Sequence, residues 1–203
     1  EAILAVEDQE FYEHNGFDYT RIASALLKDV KAMRKVEGAS TITQQYARNL
    51  YLTHDKTWTR KAKEALYAYR MEVFYEKDVL LEGYLNTVYF GHGMYGVEAA
   101  SRFYFGKPSK DLTLAESALL ISIPKGPSIY SPLINSENAY ERQNVVLTLM
   151  ESQNMVTTEA VKRAKDEKIA LKNEEWKATK SVAPYFLDEA WKEAERILKS
   201  KGR

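Results

Sequence analysis

Cysteine is missing from these 203 residues. Its absence excludes structural disulfides and thiolate chemistry, and is compatible with either side of a membrane. Long apolar runs are missing too. The longest, Ser117 to Ile123, is far short of the roughly 18–20 residues that a spanning helix needs. No signal-peptide pattern is present, nor any internal repeat or low-complexity segment. An excess of one charge sign is also lacking: 29 Lys and Arg balance 29 Asp and Glu. Whole-chain electrostatics therefore gives no reason to expect nucleic acid as a partner, and an anionic ligand has to be met by a local cluster of cations.

What is present is apolar residues, 45% of the chain. They support a packed core rather than disorder. The length fits one sizeable domain, or one domain plus a short appendage. The chain opens on Glu1-Ala2-Ile3-Leu4-Ala5-Val6 with no initiator Met, already inside patterned sequence. A fragment is expected, and a missing N-terminal anchor fits that reading.

The dominant pattern is helical. Between Tyr19 and Lys35, the residues Ile22, Leu26, Val30 and Met33 share one stripe, with Lys28, Lys31, Arg34 and Lys35 beside it. From Thr59 to about Leu85 the composition predicts one or two helices, with no Gly before Gly83. Thr113 and Glu116 form a capping-box pattern, and that helix should end near Pro124. Further helices are expected over about 137–151, 158–168 and 185–199. Glycines punctuate an aromatic stretch from Tyr84 to Phe105, which predicts turns between short helices. Period-two alternation is scarce, so the class is mainly α. Residues 171–183 are polar and weakly patterned and form the best linker candidate.

Four segments could carry chemistry. In Glu7-Asp8-Gln9-Glu10-Phe11-Tyr12-Glu13-His14, four acids crowd beside apolar residues, a setting that suits a general base. The plainer reading is a solvated acidic helix start, with His14 a structural histidine. In Gly38 to Gln45, Ser40 can cap a helix, while Gln44 and Gln45 can hydrogen-bond a sugar or phosphate. From Arg48 to Glu64 there are five cations, Arg48, Lys56, Arg60, Lys61 and Lys63, against only Asp55 before Glu64. Helical spacing joins Arg60 and Lys61 to Glu64. The cations can take a phosphate charge, and the carboxylate can orient them or hold a divalent ion. The alternative is a surface helix laced with weak salt bridges. In Tyr84 to Gly91, aromatics beside Asn86 can line a sugar cleft or simply fill a core.

In order and wording these segments resemble the peptidoglycan glycosyltransferases of family 51. Glu7-Asp8-x-x-Phe11-x-x-His14-x-Gly16 is similar to the first motif of that family. Gly38-x-Ser40-Thr41-Ile42-Thr43-Gln44-Gln45, with Arg48-Asn49, is similar to the second. Arg60-Lys61-x-Lys63-Glu64 is similar to the third. Tyr84-Leu85-Asn86-x-x-Tyr89-Phe90-Gly91 is similar to the fourth, and Leu114-Ala115-Glu116-x-Ala118-Leu119-Leu120, with Pro124 and Pro127, to the fifth. The likeness runs from residue 1 to about 170.

The resemblance implies a lysozyme-like, multi-helix fold, with a larger head and a small membrane-facing jaw. It implies processive addition of lipid II to a lipid-linked glycan, at the outer face of the bacterial cytoplasmic membrane. Glu7 would be the general base and Glu64 the second essential carboxylate. Arg48, Lys56, Arg60 and Lys61 would serve the pyrophosphate, while Ser40, Gln44, Gln45 and Asn86 would contact substrate. Mg²⁺ or Mn²⁺ at Glu64 is an expected cofactor, and no organic cofactor is implied. Two residues depart from the family pattern: Arg48 stands where Lys is usual, and Ser24 where Arg is frequent. The glycosyltransferase domain is expected over 1–170. Residues 171–203 would lead to a transpeptidase, as in class A penicillin-binding proteins, and other cell-wall synthesis proteins are expected as partners. A lytic transglycosylase or a non-catalytic glycan-binding domain is the competing reading.

Overall fold

The computed structural model describes the backbone of residues 1–32, 39–51 and 57–173, with side chains omitted for 26–32. Among these residues the chain is mainly helical, and the sole extended pairing is an isolated bridge between Tyr89 and Tyr95. The helices are α1 (Ala2–Glu7), α2 (Tyr19–Ala32), α3 (Ile42–Tyr51), α4 (Trp58–Phe74), α5 (Lys77–Thr87), α6 (Val97–Tyr104), α7 (Leu114–Ser122), α8 (Pro127–Tyr130), α9 (Ser136–Ser152) and α10 (Thr158–Asp166).

Local sequence sets several of these boundaries. The expected capping box at α7 forms: Thr113 Oγ1 accepts from the Glu116 N–H, and the Glu116 carboxylate accepts from the Thr113 N–H. This helix stops where Pro124 enters a 3-10 turn. The long helical stretch expected from Thr59 divides in two, because Tyr75 and Glu76 take extended conformations between α4 and α5. The cap of α3 differs from the expectation. Thr41, not Ser40, supplies it, with Gln44 closing the box: Gln44 N–H donates to Thr41 Oγ1 at 3.2 Å, and Thr41 N–H donates to Gln44 Oε1 at 3.0 Å.

Two groups of helices pack into one core. In one, α7 lies along α9, and α1, α8 and α10 pack on that pair; in the other, α3 packs on α4 and α5. Fully buried Phe11, Ile42, Tyr84, Phe90, Tyr104, Leu120 and Leu147 belong to the shared core. α1 ends at the seam between the groups. Its last residue is Glu7, and the next, buried Asp8, accepts from the Ile42 N–H at the start of α3 at 2.9 Å.

The last described residues rest on this core. Ile169 and Leu171 pack against it, Lys172 N–H donates to Tyr104 O, and the Asn173 amide donates to Phe103 O. The helix expected over 185–199 lies outside the described residues, as do Met33, Arg34 and Lys35 of the α2 stripe.

Candidate active site

Glu7 is held from three sides. Its main-chain oxygen accepts from the Arg21 guanidinium. Its Oε2 accepts from Gln45 Nε2 at 2.9 Å, and Gln45 Oε1 accepts from the Tyr84 hydroxyl at 3.2 Å. Behind it, Asp8 accepts from His14 Nε2 at 2.9 Å, while His14 Nδ1 accepts from the Gly16 N–H at 3.1 Å. With Nδ1 accepting, the ring proton sits on Nε2. His14 is thus the structural histidine that its plainer reading expects, and it fixes the turn that follows Glu7.

Glu7 opens on a groove of about 310 Å³, lined also by Gln45, Arg48, Asn49, Tyr84 and Tyr89, and by Pro124, Lys125 and Pro127. Arg48 links this groove to a charge cluster. Its guanidinium lies 3.9 Å from Glu64 Oε2, and Arg60 donates to that same oxygen at 3.0 Å. Lys61 pairs with Glu64 Oε1 and donates to Ser40 Oγ at 2.8 Å. The Glu64 side chain is 0% exposed, against 35% for Arg48, 17% for Arg60 and 42% for Lys61. Helical spacing accounts for Arg60 and Lys61, but Arg48 reaches Glu64 only because α3 packs on α4.

The Glu64 carboxylate does not line the groove; it is fully buried, and the cations that cover it stay partly exposed. Nor does it fit Mg²⁺ or Mn²⁺. Hard divalent cations need several oxygen ligands, and both Glu64 oxygens are taken by positive groups. Among the described residues, no group of three or more His, Asp or Glu could hold a metal.

The other expected residues divide. Gln44 is buried in the α3 cap, and the partly exposed Ser40 accepts from Lys61 Nζ. Asn86 is exposed near the end of α5 and does not line the groove. Lys56 lies outside the described residues. Lys125 was absent from the expected site, and Tyr84 was expected only as part of an aromatic segment that could line a sugar cleft. Lys125 sits between two prolines of the fifth motif, the one signal that could have found it. Tyr84 shows its part only through contacts 39 and 77 residues away in the chain. Ser24 lines a second cavity, of about 410 Å³, together with Arg21 one turn earlier on α2. A cation is thus retained near that position.

A carboxylate at one point of a groove and fixed positive charge at another suit one kind of chemistry. They take a proton from an attacking group while stabilising an anionic leaving group, which is the task of a group-transferring enzyme. The family follows from comparison with known proteins: the transglycosylase profile matches residues 1–151. The chain belongs to that family, the glycosyltransferase domain of class A penicillin-binding proteins, and its reaction class is peptidoglycan glycosyl transfer. It is 56% identical over 197 residues to penicillin-binding protein 2D of Bacillus subtilis, covering 97% of this chain and 28% of that protein. It is 46% identical over 198 residues to penicillin-binding protein 1F of the same organism, covering 96% and 27%. Penicillin-binding protein 1A of Aquifex aeolicus is 42% identical over 187 residues, covering 92% and 25%. The chain spans about a quarter of the length of these curated relatives.

Proposed function

We propose that this domain polymerises lipid II by an inverting displacement at an anomeric carbon. The attacking group is the 4-hydroxyl of a GlcNAc, a poor nucleophile at neutral pH. Glu7 takes its proton as the new C–O bond forms. The bond to pyrophosphate breaks, and its electron pair leaves with undecaprenyl pyrophosphate. That leaving group is already a stable anion, so it needs positive surroundings rather than a proton. Arg48, Arg60 and Lys61 supply them, with Lys56 of the same segment and Lys125 of the groove as further cations.

One observation carries this reading. Glu7 and Arg48 share a groove, and Arg48 belongs to the same charge cluster as Arg60, Lys61 and Glu64. It also favours synthesis over lytic cleavage. Lytic cleavage of an ordinary glycosidic bond releases no pyrophosphate, and would leave this cation cluster without an anion to stabilise. The test is lipid II polymerisation by the Glu7→Gln protein. Turnover should fall by about 10²–10⁴-fold; activity near wild type removes Glu7 as the base.

A polyprenyl substrate requires work at a membrane surface. The exposed face of α4 supports this partner. Trp58, Leu66, Tyr69 and Val73 lie along one stripe of it, with Trp58 91% exposed. Lys63 and Arg70 are the exposed charges on that helix, while its acids Glu64 and Glu72 are turned inward and paired. An apolar stripe edged by cations suits an anionic lipid surface. No helix among the described residues is long and apolar enough to cross a membrane. The domain would therefore be held at the outer face of the cytoplasmic membrane by an anchor outside this chain. A following transpeptidase and other cell-wall synthesis proteins complete the proposed setting.

A further inference from the structure

Gln45 has two polar ends, and the structure gives each a different partner. Its Nε2 donates to Glu7 Oε2 at 2.9 Å, and its Oε1 accepts from Tyr84 at 3.2 Å. A carboxylate can only accept, so the amide serves Glu7 in one orientation only. Turned over, it would set an oxygen against an oxygen. The carboxylate selects that orientation, and Tyr84 braces the other end of the amide. Its hydroxyl is a donor as long as the phenol stays protonated, and burial, reinforced by the charge of Glu7, keeps it so by pushing its pKa well above the usual phenol range. The ring is fully buried on α5, Gln45 stands on α3, and Glu7 ends α1. Three helices thus converge on one amide.

We propose that Tyr84 and Gln45 are positioning residues that aim the Glu7 carboxylate, Tyr84 acting only through the orientation of the Gln45 amide. The proposal rests on the reading of Glu7 as the base. It reassigns Gln45 from a substrate contact to a support, and it gives the buried tyrosine a polar duty besides filling the core. Aim matters because a general base has to lie within hydrogen-bond reach of the proton that it removes. Removing the phenol oxygen leaves Gln45 Oε1 without its donor and the amide held at one end only.

The experiment is a double-mutant cycle on lipid II polymerisation with the full chain: Tyr84→Phe, Gln45→Met, and both together, with Glu7→Gln alongside. Each single variant should lower kcat by about tenfold with KM little changed, since the substrate contacts remain. The double variant should be no worse than Gln45→Met alone, because Tyr84 has nothing left to orient. Multiplying losses, or a rise in KM with kcat intact, would overturn the proposal. Should Tyr84→Phe fail to fold, Gln45→Glu replaces it: a second carboxylate facing Glu7 should lower kcat more than Gln45→Met does, and an equal or smaller loss counts against the proposal. An active Glu7→Gln protein would take the base assignment down with it, whereas an inactive one beside independent Tyr84 and Gln45 effects removes only the positioning.

Discussion

Glu64 concentrates the electrostatics of the site in one side chain. It is fully buried and faces three cations, so the cluster carries two more positive charges than negative ones. A buried ion pair is weak support for stability, but removing one partner is costly. Glu64→Gln should therefore lower both quantities. Chemical denaturation should register a loss of about 2 kcal/mol, the scale of charge-assisted hydrogen bonds. The activity assay should show lower kcat/KM as Arg60 and Lys61 lose their fixed positions; a variant of unchanged kcat/KM would deny the cluster its role. The pairs within α4 could be read from sequence because helical spacing forces them together. Ser40 and Thr41 could not be told apart, since either hydroxyl satisfies the capping pattern and only the backbone decides. Gln45 was found as a polar residue but not as the partner of Glu7, 38 positions away.

Single helices carry two further consequences. The outer stripe of α4 is proposed to meet lipid, so Leu66→Asp with Tyr69→Asp should weaken flotation with vesicles of anionic phospholipid while the circular dichroism spectrum holds. Equal flotation of two folded proteins would place the lipid contact elsewhere. Sequence alone cannot place such a contact: an apolar stripe like Ile22, Leu26, Val30 and Met33 reads the same whether it faces a core or a membrane. At the start of α6, Gly96 has φ +85°, and an added Cβ would come within 2.7 Å of Asn86 O. Gly96→Ala should cost more than the roughly 1 kcal/mol of an ordinary strained glycine site, visible as a lower unfolding midpoint. The helix starts and stops were legible where caps or proline mark them. The break between α4 and α5 was not, since Tyr75 and Glu76 carry no breaker residue.

For the molecule as a whole, acid is the weak side. Burial pushes the His92 pKa below its ordinary 6.5. Burial alone would raise Asp18, but the Arg21 N–H and the Thr20 hydroxyl donate to it, and with the Arg21 charge they bring it below its ordinary 3.8. Both folded values are depressed, so the unfolded chain binds more protons just below each ordinary value. Stability should fall as pH drops below about 6.5, and again through the carboxylate range. His92→Gln should flatten the first step in a series of urea melts from pH 7.5 to 5; an unaltered step would assign it to another group. Helix class and motif order were readable because both are local in sequence. The seam that brings Glu7 to α3 and α5 was not, since it exists only once two helix groups have packed.

α4 is a spacer as well as a scaffold. Glu64 and its stripe of Trp58, Leu66, Tyr69 and Val73 occupy opposite sides of one helix, and a helix with its side chains is about 10–12 Å thick. With the stripe resting on the bilayer, that thickness sets the height of Arg60 and Lys61 above the acyl chains. The width of a single helix would then set how far the phosphates of a lipid-linked sugar stand from the acyl chains when they meet the cluster.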